Sequence, residues 1–297
     1  VAAIIILPNV LWQFDNNLPL IRHLQELNSS HLNEAGPWDF ILQQLMLPPT
    51  LFISLIGVIF LVRSSTYRAV GIATIVIFFT MWFLKAKPYY LFSLYPVLFA
   101  AGSAKIASWL ENRKSIWIYG FGTTLFLIMA PIIPEMTPVL PIIQYISYIG
   151  AEPVNGRYEL TGDYADMFGW EEQVALVDSV YRSLGNEDRA NCVIWAENYG
   201  EAGAVKILGK KYGLPNPISR HGTFWKWGYG NKDASVWISL GNEKEAVEWI
   251  FNDVQLVKII SHPFAIGEEN GIPLYVCRSP KRDVAQWWKD YEPYIFN

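Results

Sequence analysis

Cysteine and histidine are scarce in this sequence, at two and four among 297 residues. Cys192 and Cys277 sit in apolar, strand-like runs, where two small buried side chains are the ordinary reading. A disulfide stays open if that part of the chain lies in an oxidising compartment. His23 and His31 have no cysteine or carboxylate at ligand spacing beside them, so they read as solvated loop side chains and no metal is expected. The compact catalytic signatures are missing too: GxSxG, the P-loop, HExxH, CxxC, and GxGxxG after a strand. Gly228-Tyr229-Gly230 stands in an aromatic loop and reads as a turn, so no cofactor is expected either. Positive charge is in deficit, with a net charge of −4 and no basic stripe, which argues against a nucleic-acid binder. Internal repeats, low-complexity tracts, an initiator methionine and a signal peptide are all absent. Residues 1–11 form an apolar run too short to span a bilayer, read as the end of a transmembrane helix closed near Pro8-Asn9. The chain is therefore expected to be the carboxy-terminal piece of a longer membrane protein.

What the sequence has in quantity is apolar surface, 52% hydrophobic and 15% aromatic, unevenly spread. Residues 1–141 are mostly long apolar runs, whereas 142–297 mix charged and apolar residues, which predicts two domains. Four membrane spans are expected, over 45–62, 69–84, 88–110 and 116–133, with Pro96 as a kink and Pro131 and Pro134 closing the last. Residues 12–44 read as polar and irregular, with a short amphipathic surface helix over 18–27. Arg63, Arg68, Arg113 and Lys114 fill two short loops, and the positive-inside rule makes those loops cytoplasmic. Alternation then puts residues 12–44, 85–90 and everything after 134 outside. A proline-rich connector over 134–153 leads to helices over 171–184 and 201–212. Strands over 192–196, 235–240, 254–260 and 273–277 and a helix after Gly241-Asn242 complete a partly parallel α/β domain. The expected fold is a multi-pass α-helical membrane bundle followed by a C-terminal extracytoplasmic α/β domain.

Lys85-Ala86-Lys87-Pro88-Tyr89-Tyr90 puts two cations between two long apolar segments, where charges are costly. Snorkelling lysines in an aromatic belt account for it on one reading. On the other, Lys85, Lys87, Tyr89 and Tyr90 form a cationic mouth for an anionic lipid head group. In the second half, Asn198, Tyr199 and Glu201 follow a strand, where α/β sheets commonly place ligand groups. His221, Trp225 and Trp227 offer aromatic faces suited to sugars. These six are expected to line one cleft facing the mouth, selecting the acceptor or guiding it inward. Helix capping for Asp166 and Asn198, and core packing for the tryptophans, are the structural alternatives.

Pro8-Asn9-Val10-Leu11-Trp12-Gln13, Lys87-Pro88-Tyr89-Tyr90-Leu91, Leu94-Tyr95-Pro96, Ala100-Ala101 and the clusters over 164–170 and 198–204 together resemble a bacterial membrane glycosyltransferase. The group is that of the protein O-mannosyltransferases and the lipid A aminoarabinose transferase, with the GT-C fold. The resemblance implies transfer of a sugar, hexosyltransferase-like, from a polyprenyl-phosphate-linked donor at the extracytoplasmic face of the bacterial inner membrane. The acceptor would be a glycan, lipid or protein. It implies an acidic residue, as catalytic base or acceptor-positioning group, in a first outer loop ahead of Val1, with Lys85 or Lys87 toward the donor phosphate and Tyr89 and Tyr90 at the entrance. A non-catalytic, membrane-anchored extracytoplasmic binding or assembly module is the alternative from another class.

Overall fold

Apolar runs without a period of two fold as helices through the first part of the chain. In a computed structural model describing residues 2–29, 37–45, 48–111, 116–231 and 233–291, the chain divides into two compact units, Val1–Ile132 and Ile133–Asn297. The first unit contains α1 (Ala2–Asp15), α2 (Pro19–Ser29), α3 (Pro37–Leu45), α4 (Pro48–Arg63) and α5 (Arg68–Phe83). A 3₁₀ helix, Pro88–Leu94, then leads into α6 (Tyr95–Leu110) and α7 (Ile116–Met129). Arg113, Lys114 and His31 lie outside the described residues.

The expected multi-pass bundle is overturned. Two helical stretches are long and apolar enough to cross a membrane, Pro88–Leu110 with 23 residues and Ile116–Met136 with 21. Helices α4 and α5 have 16 residues each. At about 1.5 Å per residue each is about 24 Å long, short of the roughly 30 Å hydrocarbon core. The apolar windows read from sequence ran past the ends of these helices, into residues before Pro48 and into the cap at Leu84. The first helix also differs from expectation, because α1 runs through Pro8 to Asp15 instead of stopping there.

Glycines set the packing of α4 against α6. A Cβ on Gly57 would lie 2.2 Å from the Leu98 carbonyl oxygen, and one on Gly102 2.1 Å from that of Ile53. The two backbones therefore touch, and neither position has room for a side chain. Leu61, Leu98 and Ala101 close the contact with Val58, Phe60 and Tyr95 at its margin. Close approach through small residues is how helices associate where water supplies no driving force.

The second unit opens with α8 (Ile133–Met136), α9 (Ile142–Ile149) and α10 (Gly162–Ala165), then α11 (Trp170–Ser183) and α12 (Asn186–Ala190). Next come β1 (Cys192–Ala196), α13 (Tyr199–Leu208), β2 (Ile218–Ser219), α14 (Thr223–Lys226), β3 (Val236–Leu240) and α15 (Lys244–Ile250). The chain finishes with β4 (Phe251–Ile260), β5 (Ile272–Pro280) and α16 (Val284–Asp290). The sheet order is β2-β1-β3-β5-β4. Strands β2, β1 and β3 are parallel, and β5 runs antiparallel to both β3 and β4.

Side chains alternate across this sheet into two cores. Ile194, Ile238 and Leu274 face one way, under Val174 and Val177 of α11 and Val205 of α13. Trp195, Trp237 and Cys277 face the other, under Val247 of α15 and Trp287 of α16. Cys192 belongs to the first core and Cys277 to the second, so the sheet separates the two thiols and both are free. Burial pushes each thiol up to about 12, which makes both inert packing groups.

Candidate functional site

The mouth begins where α5 stops. Lys85 takes a left-handed backbone, φ 51°, and its N–H bonds to the Trp82 carbonyl at 3.1 Å while that of Ala86 reaches Met81 at 2.9 Å. Lys87 is extended, φ −62° and ψ 132°, as a residue before proline must be. Its Nζ stands 5.9 Å from the Tyr89 ring centroid, and Tyr89 meets Tyr90 edge to face at 4.9 Å. Both lysines are exposed, and the two rings are about half exposed. The turn that follows is 3₁₀ and seven residues long. So short a turn lends little dipole, and the two ammonium groups carry the positive charge.

Beside this turn lies an apolar cleft of about 210 Å³, lined by Gln44, Ser54, Phe78, Leu91, Tyr95 and Leu98 among others. Gln44 ties α3 to the mouth: its Nε2 donates to the Pro88 carbonyl at 3.2 Å, and its Oε1 accepts from the Tyr95 hydroxyl. Pro88 and Leu91 are buried, so the segment that presents the lysines is anchored by its apolar face. Two cations next to an apolar cleft suit an amphiphile with an anionic head.

In the second unit the six expected acceptor residues fall into separate groups. Asn198 caps α13, its Oδ1 accepting from the Gly200 N–H at 2.7 Å and the Glu201 N–H at 3.0 Å. Glu201 Oε2 returns to the Glu197 N–H at 2.9 Å, completing a capping box. Tyr199 is exposed and meets the His221 ring edge to face at 4.7 Å. Trp227 is also exposed, with Lys206 Nζ 3.7 Å above its ring and Phe224 4.7 Å away. Trp225 turns into the second core, where it and Trp288 exchange indole-to-carbonyl hydrogen bonds of 2.7 and 3.0 Å. Helix α13 covers the first core, so Glu201 and Trp225 serve opposite faces of the sheet. The other expected cap, Asp166, does not cap α11, whose N-cap is Gly169 with φ 97°.

Two buried partners of this group carried no local sequence signal. Glu269 accepts from Gln173 Nε2 at 3.0 Å and from Asn198 Nδ2 at 3.2 Å, across 96 and 71 residues. Glu201 is 1% exposed, and burial pushes its carboxyl up to about 9, with the Glu269 carboxylate adding to the rise. Burial raises Glu269 as well, against the hydrogen bonds from Gln173 and Asn198. Parallel α/β sheets bind ligands where the strand order reverses, here beyond β1 and β3. In this chain that crevice is filled from within: a Cβ on Gly241, φ 79°, would lie 2.0 Å from Glu201 Oε1. The N-terminus of α13 is spent on its own cap. Tyr199 and Trp227 are exposed aromatic faces that remain open to a ligand in this part of the second unit. Compared with family models, curated proteins and solved structures, the chain matches none.

Proposed function

We propose that this chain serves sugar transfer from a polyprenyl-phosphate-linked donor to an acceptor at the outer face of a bacterial plasma membrane. The α/β unit then lies on the extracytoplasmic side of that membrane. One observation carries the reading: Lys85 and Lys87 stand at a turn whose buried side continues into the apolar cleft between α4, α5 and α6. A polyprenyl phosphate has that same division, a charged head on a long apolar chain. The two helical stretches able to cross a membrane support placing this turn at its boundary.

In the transfer, an acceptor hydroxyl oxygen bonds to the anomeric carbon as that carbon's bond to the phosphate oxygen breaks. The hydroxyl proton passes to the base that the resemblance places ahead of Val1, and negative charge gathers on the departing phosphate. Preorganised ammonium groups stabilise that charge more in the transition state than in the bound donor. Lys87, held extended by Pro88 and steadied over Tyr89, is the better placed of the two. Tyr89 and Tyr90 would line the donor's path. Tyr199, His221 and Trp227 offer aromatic faces to an acceptor glycan. The second reading, a binding module without catalysis, draws on the capping box: Glu201 and Asn198 are committed to holding α13.

The test is turnover of a radiolabelled polyprenyl-phosphate sugar by the full-length protein. Lys87→Ala is expected to lower transfer at least tenfold, about 1.4 kcal/mol of transition-state stabilisation, with Lys85→Ala milder. Wild-type turnover in both variants contradicts the proposal. Donor binding without any turnover by the wild type favours the binding module.

A further inference from the structure

A second cleft, of about 460 Å³, opens at the far end of α4 and α6 from the mouth. Its walls include Ile59, Phe60, Arg63, Ser64, Lys105 and Trp109. Arg63 is the last residue of α4, and Lys105 stands in the penultimate turn of α6. Two helices thus bring one cation each to a single cleft, and among the described residues no aspartate or glutamate lines it. Among the described residues no ion pair joins either cation to a carboxylate. Lys105 Nζ lies 5.6 Å from the Trp109 ring centroid, and Ser64 Oγ accepts the Tyr67 N–H at 3.2 Å, leaving its own hydrogen to donate.

Lys105 and Trp109 close one of the two stretches long enough to span a membrane, Pro88–Leu110. Tryptophan and lysine gather at such ends, where an apolar wall meets the head-group layer. A free inorganic anion would have no use for the wall of Ile59 and Phe60, and a neutral lipid none for two cations in one cleft. An arginine fork, an ammonium and a serine hydroxyl together match the non-bridging oxygens of a phosphodiester. We infer that this cleft binds the head group of an anionic glycerophospholipid, with one acyl chain along Ile59 and Phe60. The inference depends on the Pro88–Leu110 stretch lying in a membrane and is independent of the donor proposed above.

Native mass spectrometry of the full chain in detergent, with phosphatidylglycerol and phosphatidylcholine of identical acyl chains, tests it. The wild type is expected to retain phosphatidylglycerol at least fivefold over phosphatidylcholine. Arg63→Gln/Lys105→Gln is expected to lose that preference, whereas Lys85→Ala/Lys87→Ala keeps it. Equal retention of the two lipids by the wild type overturns the inference. So does a preference that survives in the first variant or disappears in the second. Displacement of the lipid by millimolar inorganic phosphate would make this a free-anion site and overturn it too. A readout free of charge variants uses brominated phosphatidylglycerol: its quenching of tryptophan fluorescence is expected to shrink in Trp109→Phe, and an unchanged amplitude contradicts the assignment.

Discussion

Glu201 is a buried acid of the second unit, 1% exposed. It is closed in by Gly241 on one side and bonded to the Glu197 N–H on another. Burial, with the Glu269 carboxylate second, raises its carboxyl from 4.5 to about 9. Between those two values the folded chain holds a proton that the unfolded chain has released, so stability falls as pH rises. The favourable contribution is complete below about 4.5 and is lost as pH climbs through the folded value near 9. The slope from one such group cannot exceed about 1.4 kcal/mol per pH unit. Glu201→Gln keeps an acceptor oxygen for the Glu197 N–H and removes the titration. Its stability relative to wild type is expected to rise steadily from pH 6 to pH 8.5 in urea unfolding. A difference that stays constant with pH contradicts the buried-proton assignment.

The contact of α4 with α6 depends on the absence of two side chains, and this too can be tested in pairs. Gly102→Ala forces a methyl group into the Ile53 carbonyl, whereas a Cβ on Gly122 meets nothing within 4 Å. Gly122→Ala is expected to hold or raise the melting temperature, since alanine is favoured over glycine in a helix by about 1 kcal/mol. Gly102→Ala is expected to lower it by several degrees, because backbone must move before the methyl fits. Equal effects at the two sites contradict the close crossing. Much of the second unit at this scale was legible in the sequence. Strands β1 and β3 are buried on both faces, so Cys192 to Ala196 and Val236 to Leu240 read as continuous apolar runs. The two-residue strand β2 has no such run, and its pairing depends on a long crossover from β1. The Gly57 and Gly102 contact was illegible for a similar reason: a glycine states that a side chain is missing, not which backbone fills the space. Helix length was misread because hydrophobicity does not stop where hydrogen bonding does, as at Pro48 and Leu84. The capping box was half visible in Asn198 and Glu201, but its links to Gln173 and Glu269 arise only when distant segments meet. The exposed lysines and tyrosines over 85–90 are legible in the sequence, whereas the cleft beside them depends on how α3, α4, α5 and α6 pack.

For the whole molecule, the proposed function requires the mouth to act as a phosphate site and not merely as an interfacial belt. Snorkelling lysines would favour any amphiphile about equally, whereas a head-group site discriminates by charge at one end of the same chain. The most direct measurement is therefore a binding titration of the full-length protein with a polyprenyl phosphate and with the uncharged polyprenol of equal length. The phosphate form is expected to bind at least tenfold more tightly, about 1.4 kcal/mol, and that advantage is expected to vanish in Lys85→Ala/Lys87→Ala. Equal affinity of the wild type for the two lipids, or an advantage undiminished in the double variant, would contradict the assignment of the mouth.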